Sequence, residues 1–240
     1  MSIPPPKNPQ HLRLVSYNIR KCVGLDQRRD PHRILRVLAG LGADLVALQE
    51  ADRRLGPRRA ALPRALIREE TGMQVAPLAT NSVSLGWHGN ALLLAPGWRV
   101  GHIHRLPLIG LEPRGAVFAD LDGPYGVLRV ITTHLGLRRR DRQRQMTQIM
   151  AELAALPSWP TVLLGDLNEW APAAGFAPLD PYFRLHRPGR SFPSFRPVAA
   201  LDRIATGPGL SLAQSGVMRA GAAGWASDHL PVWADVVTDG

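Results

Sequence analysis

The sequence is short of cysteine and contains no long apolar run. Cys22 is the single cysteine, which excludes an intramolecular disulfide, disfavours a cysteine-based zinc site and fits a reducing compartment. No run approaches the roughly 20 apolar residues that span a bilayer, so we expect no transmembrane segment. The first ten residues are polar and proline-rich, with no apolar stretch typical of a secretory signal. We therefore predict a cytoplasmic protein.

Lysine is nearly absent as well, so the positive charge of the chain is an arginine charge. The 240 residues include 29 lysines and arginines against 19 aspartates and glutamates, and only Lys7 and Lys21 are lysines. The net charge of +10 fits a polyanionic partner: nucleic acid, an anionic lipid surface or phosphorylated small molecules. The base composition of a genome can produce the same arginine bias without any functional reason. The charge alone therefore does not identify the partner.

No Ser/Gly-rich linker, repeat or low-complexity tract divides the chain. A hydrophobic content of 45% is ordinary for a globular protein with a real core. We therefore predict a flexible N-terminal arm over residues 1–10 and a single domain over residues 11–240.

Apolar periodicity predicts strands that alternate with helices. The predicted strands cover residues 11–18, 44–49, 73–79, 114–121, 126–133, 161–164, 201–206, 212–218 and 232–237. The predicted helices run from Pro31 to a closing Gly42, over 60–71 and over 138–156, the first with Asp30 as its N-cap. Residues 90–106, with Pro-Gly at 96–97, are predicted to form a β-hairpin, and residues 171–197 a loop region.

Polar side chains stand at the ends of several predicted strands. The apolar run 161–164 is followed by Gly-Asp-x-Asn, which places Asp166 and Asn168 on one side of an extended chain. Burying such a pair costs several kcal/mol unless both groups are hydrogen-bonded or hold a ligand. Because loops meet outside strand ends, we expect this pair to converge with polar residues at other ends. Those residues are Asn18, Glu50, His134, Asp228 and His229.

The types of these residues indicate a chemistry. Three offer the hard oxygen ligands that suit Mg²⁺ or Mn²⁺: Asn18, Glu50 and Asp228. Three can donate hydrogen bonds to phosphoryl oxygens: His134, Asn168 and His229. Asp166 can orient or deprotonate a water molecule, and Asp202 can fix the tautomer of His229.

Taken in order, these motifs resemble the endonuclease/exonuclease/phosphatase superfamily, which includes DNase I-like nucleases, exonuclease III-like repair enzymes, inositol phosphatases and bacterial sphingomyelinases. The matching segments run from the first predicted strand to the last: 16–19, 48–50, 133–135, 165–168, 201–204 and 227–231. The resemblance implies a four-layer α/β sandwich, with two mixed β-sheets packed face to face and helices outside. It also implies a phosphoester hydrolase that depends on a divalent metal, Mg²⁺ or Mn²⁺.

The resemblance also implies individual roles. The metal ligands would be Glu50 first, with Asn18 and Asp228 nearby. The catalytic groups would be Asp166 for the attacking water, His134 and Asn168 for the developing phosphorane charge, and His229 oriented by Asp202.

A narrower resemblance joins the chain to short bacterial members, through Asn-Glu-Trp at 168–170 and Ser-Phe-Pro at 191–193. By this similarity Arg114 binds substrate phosphate; the alternative is a surface charge on a hairpin. Related sequences often carry a histidine after Tyr-Asn-Ile, where this chain has Arg20 and Lys21. The added charge, with Arg20 as a substrate-binding residue, favours an anionic substrate.

The leading prediction is a phosphodiesterase or endonuclease-like enzyme that acts on nucleic acid. The net charge and the basic run 138–144 favour it, whereas Ala51 and Asp52 after Glu50 depart from a dedicated abasic-site endonuclease. The alternative is hydrolysis of a phospholipid or a soluble phosphate ester. A degraded member that only binds is disfavoured, because every expected catalytic position holds a competent residue.

Overall fold

In the computed structural model, which describes residues 3–171, 176–180 and 182–238, twelve strands form two six-stranded sheets. Four parts of the predicted regions lie outside the described residues: 1–2 of the arm, 172–175 and 181 of the loop region, and 239–240 of the domain.

The first sheet gathers both ends of the chain. Its strands are β1 (Leu12–Asn18), β2 (Leu45–Gln49), β3 (Gln74–Val75), β4 (Ala91–Leu94), β11 (Leu210–Val217) and β12 (Val232–Thr238). They lie in the order β11-β12-β1-β2-β4-β3. The pair β1–β2 is parallel and the other pairs are antiparallel, so the sheet is mixed.

The second sheet is built from the middle of the chain. Its strands are β5 (Arg99–Leu108), β6 (Arg114–Gly123), β7 (Gly126–His134), β8 (Thr161–Asp166), β9 (Arg184–His186) and β10 (Asp202–Thr206). They lie in the order β5-β6-β7-β8-β10-β9, and only the pair β7–β8 is parallel.

The helices cover the outer faces. They are α1 (Pro31–Ala39), α2 (Arg64–Thr71), α3 (Arg139–Ala155) and the short α4 (Ala223–Ala226). Helix α1 begins as predicted: the Asp30 side chain accepts a 3.1 Å hydrogen bond from the Arg33 backbone N, with Pro31 at the first helical position. Its predicted end is wrong, because Gly40 already caps it and Gly42 lies beyond, at φ +57°.

Apolar side chains form three layers between four layers of structure. The layer between the sheets includes Leu14, Leu92, Val130, Val162 and Ile204. The layer under α1 and α2 includes Tyr17, Val46, Leu48, Ile34 and Ile67. The layer under α3 includes Phe118, Ile131, Leu163, Met146 and Ile149. Central strands are thus buried on both faces, which explains their unbroken apolar runs. The predicted four-layer α/β sandwich is confirmed.

The predicted hairpin over 90–106 is wrong. Strand β4 pairs with β2 and β3 in the first sheet, whereas β5 pairs with β6 at the edge of the second. The turn at Pro96-Gly97 therefore carries the chain from one sheet to the other. The two runs differ in burial: β4 is buried at every residue, as a central strand is, and β5 is largely exposed or half-buried.

Two further boundaries were wrong for reasons of proline chemistry. Helix α2 begins at Arg64 instead of residue 60, because Pro63 disfavours a helical conformation at the residue before it. The strand predicted over 73–79 is reduced to β3, since Pro77 has no backbone N–H to continue a ladder.

Part of the predicted arm contacts the body of the molecule. Lys7 Nζ donates to both carboxylate oxygens of Asp44, at 2.6 and 2.7 Å, and to the Tyr125 hydroxyl at 3.1 Å. The division into an arm and one domain stays a prediction. Among the described residues, no helix has the length and apolar character needed to cross a bilayer.

Candidate active site

The two parallel strand pairs bring the predicted polar residues to one edge of the sandwich. Asn18 lies opposite Gln49, the residue before Glu50, at the end of β1 and β2. His134 lies opposite Asp166 at the end of β7 and β8, and Asp202 pairs with Asp166 from the other side. Strand ends from both sheets therefore meet, as expected from the sequence.

Gly165 permits the close approach of β7 and β8 at this edge. A Cβ atom at this position would lie 1.9 Å from the Thr133 carbonyl oxygen, so no side chain fits there. The glycine of the Gly-Asp-x-Asn motif thus holds Asp166 beside His134.

The carboxylate of Asp166 is the centre of the site, and it is 1% exposed. Its Oδ2 accepts a 3.0 Å hydrogen bond from Asn18 Nδ2, which crosses from the first sheet to the second. The same oxygen lies 3.3 Å from His134 Nε2 and 3.7 Å from His229 Nε2. Its Oδ1 accepts a 3.0 Å bond from the backbone N of Asn168. Three side-chain N–H groups therefore converge on one carboxylate oxygen.

His134 is neutral, and its tautomer follows from its neighbours. Arg114 Nη1 lies 2.9 Å from His134 Nδ1, and a guanidinium can only donate, so Nδ1 is the acceptor and Nε2 carries the proton. Burial lowers the pKa of His134 to about 3. The negative charge of Asp166 opposes this shift, and the positive charge of Arg114 adds to it. The ring therefore presents one N–H toward Asp166.

His229 lies between two carboxylates. Its Nδ1 is hydrogen-bonded to Asp202 Oδ2 at 2.9 Å, and its Nε2 lies 3.7 Å from Asp166 Oδ2, beyond hydrogen-bond distance. Although burial opposes a charge, Asp202 and Asp166 raise the pKa of His229 to about 10. Ser191 Oγ also donates to Asp202 Oδ2, which fixes this carboxylate behind the imidazolium.

Four site residues have a backbone conformation that residues other than glycine rarely adopt. The φ angle is +52° in Glu50 and Asn168, +44° in Arg20 and +55° in Lys21. Such residues cost about 1–3 kcal/mol each and concentrate at functional sites. The strained backbone of Asn168 lets its N–H reach Asp166, while its Nδ2 donates to the Leu135 carbonyl at 2.9 Å.

The two predicted metal-binding carboxylates each face a cationic side chain. Glu50 Oε2 accepts a hydrogen bond from Lys21 Nζ, and Asp228 Oδ2 lies 3.5 Å from Arg20 Nε. Their side chains are 26% and 31% exposed, so both are accessible from solvent. The Asn18 amide oxygen, the third predicted ligand, accepts a 3.1 Å bond from the Arg20 backbone N.

These three metal ligands would suit a hard divalent cation, because all of them are oxygen atoms. Glu50 already binds one positive charge, the ammonium group of Lys21. A second group, Asp166, Asp202 and His229, has ligand atoms within 4.8 Å of one another. Because His229 Nδ1 and Asp202 Oδ2 are hydrogen-bonded to each other at 2.9 Å, we assign that group to proton chemistry.

A pocket of about 180 Å³ opens beside His134, and its walls include residues that the sequence did not single out. Glu50, Arg114 and His134 line one side. Arginines from the loop after Glu50 line the other: Arg53, Arg54 and Arg58. Their signal in the sequence was four arginines within seven residues, 53–59, directly after a predicted metal ligand.

Comparisons with known proteins identify the family of the chain. The profile of the Endonuclease/Exonuclease/phosphatase family matches residues 15–229. The curated relative "Uncharacterized protein YbhP" of Escherichia coli (strain K12) is 34% identical over 131 residues, which cover 50% of this chain and 51% of that protein. The match thus spans about half the length of the relative.

Solved structures share the fold. An endonuclease/exonuclease/phosphatase from Beutenbergia cavernae superposes with a TM-score of 0.72 at 20% identity, covering 96% of this chain and 72% of that one. D. rerio TDP2, complexed with a single-strand DNA product, superposes with a TM-score of 0.72 at 17% identity, covering 95% and 99%. With the family profile spanning the strand-end residues that meet at Asp166, the chain belongs to the Endonuclease/Exonuclease/phosphatase family.

Proposed function

We propose that the protein is a divalent-metal-dependent phosphoester hydrolase that acts on phosphodiesters of nucleic acid. The observation that carries this proposal is the Asp166 carboxylate, on which N–H groups of Asn18, His134 and His229 converge from both sheets. Hydrogen-bond donors held in fixed positions around a buried site stabilise the negative charge that develops on phosphoryl oxygens during hydrolysis. The carboxylate at their centre can orient the attacking water.

Mg²⁺ or Mn²⁺ would be held by Glu50, Asn18 and Asp228, and it would supply Lewis-acid stabilisation of the phosphoryl oxygens. Arg20 and Lys21 sit against these carboxylates and can turn toward an anionic substrate when a metal binds.

The contacts of each group support the remaining roles. Despite burial, Asp202 and Asp166 raise the pKa of His229, which acts as a proton donor to a phosphoryl or leaving-group oxygen. His134 has its acceptor nitrogen committed to Arg114 and acts through its Nε2–H. Asp202 is committed to His229 and Ser191. Asp166 is therefore the group that orients the attacking water and takes its proton. Asn168 positions Asp166 through its backbone N–H; its Nδ2 uses one N–H on the Leu135 carbonyl and has a second N–H to donate to the reacting phosphate.

A basic surface around the site favours nucleic acid as the substrate. Arg114 links His134 to the arginine-lined pocket, and the exposed Arg138, Arg139 and Arg140 follow Leu137, which lines the same pocket. Such a surface attracts a phosphate backbone. Arg142, in the same basic run, serves the fold instead, since it is buried and bonds to Glu169 at 2.8 Å.

A specific observation also favours the alternative, hydrolysis of a phospholipid or a soluble phosphate ester. Trp170, 59% exposed, lies edge-on to Phe192, whose ring centroid is 4.8 Å from that of His229. Phe195, 71% exposed, lies three residues further along. Such an apolar surface beside the site can hold an acyl chain as well as a base.

A substrate screen with Mg²⁺ or Mn²⁺ tests the proposal. It should compare plasmid DNA, RNA, bis-p-nitrophenyl phosphate, phospholipid vesicles and sugar phosphates, each with and without EDTA. We expect EDTA-sensitive cleavage of nucleic acid and of the diester. Phospholipid turnover without cleavage of DNA or RNA would replace the nucleic-acid proposal by the alternative, and no hydrolysis of any ester would overturn both.

A further inference from the structure

The pocket beside His134 is lined mainly by charged side chains. Its walls contain five cationic side chains: Lys21, Arg53, Arg54, Arg58 and Arg114. Its three carboxylates are Glu50, Asp52 and Glu112. Glu50 is paired with Lys21, and Asp52 accepts bonds from the backbone N of Leu85 and Gly86 at 2.6 and 3.2 Å. Glu112 forms no ion pair in the described part of the chain, and its buried Oε2 has no hydrogen-bond partner there. The arginines therefore face the pocket without a carboxylate bonded to them.

No ion pair involves Arg53, Arg54 or Arg58 within the described ranges. Arg58 Nη1 lies 3.5 Å from His88 Nδ1, but that nitrogen also lies 3.2 Å from the Pro113 carbonyl oxygen. A carbonyl oxygen only accepts hydrogen bonds, so His88 Nδ1 carries a proton and donates it to Pro113. Arg58 Nη1 is also a donor, so it forms no hydrogen bond with this nitrogen. Three guanidinium groups thus share a concave space with unused donors.

The loop that carries these arginines is held in place. The backbone N of Arg53 donates to the Arg59 carbonyl at 2.8 Å, which closes the loop, and Ser84 Oγ donates to the Arg58 carbonyl at 2.8 Å. Arg58 has φ of +52°, a strained conformation for an arginine. The like-charge repulsion between arginines in one held loop is relieved when an anion binds there.

We infer that Arg53, Arg54 and Arg58 form a second anion subsite, which holds a phosphate group next to the one that reacts. Preferred substrates then carry two neighbouring phosphate groups. Arg114 connects the two positions, because it bonds His134 through Nη1 while its buried Nε has no partner within the described part of the chain. This inference rests on the proposed hydrolysis of phosphoesters and narrows its substrate class.

Matched substrates separate the second phosphate from the reacting one. Thymidine 5′-(p-nitrophenyl phosphate) is compared with its 3′-phosphorylated form, and thymidine 3′-(p-nitrophenyl phosphate) with its 5′-phosphorylated form. A charged hydrogen bond is worth about 10- to 100-fold in binding. We expect the wild type to favour the doubly phosphorylated form by about this factor in kcat/KM for one polarity. Arg54→Ala and Arg58→Ala should each reduce that ratio toward one.

Arg59→Ala is the matched control, since Arg59 is exposed in the same loop, carries the same charge and does not line the pocket. It should keep the wild-type ratio. A wild-type ratio near one for both polarities would overturn the inference, as would an equal effect of Arg59→Ala. Circular dichroism of each variant checks its fold.

A binding measurement distinguishes failure of this inference from failure of the proposed function. Inorganic pyrophosphate should raise Tm more than inorganic phosphate in the wild type and in Arg59→Ala, and this difference should shrink in Arg58→Ala. If no nucleotide ester is hydrolysed but the Tm pattern appears, the proposed function fails and the subsite stands. If hydrolysis occurs without the Tm pattern or the substrate ratio, the subsite fails and the function stands.

Discussion

Replacement of Gly165 by alanine tests whether the site depends on the close approach of β7 and β8. The new Cβ would lie 1.9 Å from the Thr133 carbonyl oxygen, so the strands must separate by about 1.5 Å to reach an ordinary contact of 3.4 Å. Because the obstructing atom belongs to the backbone of a paired strand, no rotamer change can relieve it. Overpacking of this kind costs about 1–3 kcal/mol of unfolding free energy. A displacement of about 1 Å between catalytic groups costs about 100-fold in rate.

The expected result for Gly165→Ala is a folded protein with Tm lowered by about 2–12 °C and kcat reduced about 100-fold on bis-p-nitrophenyl phosphate. The control is Gly224→Ala in α4, where an added Cβ meets nothing within 4 Å. Thermal denaturation and steady-state kinetics on both variants provide the comparison. Wild-type Tm and kcat in Gly165→Ala would show that the site does not depend on this close approach of the strands.

Three other predictions concern catalysis and stability. His134→Ala should lower kcat about 10²- to 10³-fold, because one N–H donor is lost, while circular dichroism stays unchanged. Asp235→Asn should cost about 3–5 kcal/mol in urea denaturation, since it leaves the buried Arg13 without the carboxylate that now binds it at 2.7 and 2.8 Å. Burial acts to raise the pKa of Asp235, but the hydrogen bonds from Arg13 outweigh it and the pKa is lowered. The ion pair therefore stabilises the fold at pH values above the unfolded pKa of about 3.9. This stabilisation is lost as the pH falls through the lower pKa of the folded state. Acid titration of unfolding free energy should therefore fall more steeply below pH ~4 in the wild type than in Asp235→Asn; parallel curves would contradict this.

The position of the site could be predicted from the sequence, because polar residues follow the apolar runs of the buried strands. An apolar run that stops at a polar residue identifies the end of a buried strand, as at Asp166 and His134. The pairing of His229 with Asp202 was also predicted, and the structure places their side chains 2.9 Å apart. The roles assigned to these residues stay predictions.

The charge states of the two histidines were beyond the sequence. Both follow or precede apolar strands, yet one is neutral and the other is an imidazolium. The difference comes from Arg114, which faces Nδ1 of His134 across the β6–β7 pair, and from Asp202, which faces Nδ1 of His229; the folded geometry alone shows which ring atom each neighbour faces. The arginines of the pocket were missed for a similar reason, since a basic loop looks like a solvated surface until its closure is known.

The hairpin error over 90–106 has a more general cause. A Pro-Gly turn between two apolar runs satisfies the local signals of a hairpin equally well when the chain crosses between two sheets. Only the pairing partners distinguish a hairpin from a crossing between sheets. Here β4 pairs with β2, whereas β5 pairs with β6. Local turn chemistry was therefore correct and the pairing inferred from it was not.

We propose that Asp166 orients and deprotonates the attacking water in metal-dependent phosphoester hydrolysis. The most direct measurement is kcat/KM for Asp166→Asn on bis-p-nitrophenyl phosphate with Mg²⁺, beside Asp122→Asn, which alters a carboxylate that is 54% exposed and pairs with Arg99. We predict a loss of at least about 100-fold for Asp166→Asn with a retained fold, and wild-type turnover for Asp122→Asn. Wild-type turnover by a folded Asp166→Asn would contradict the claim.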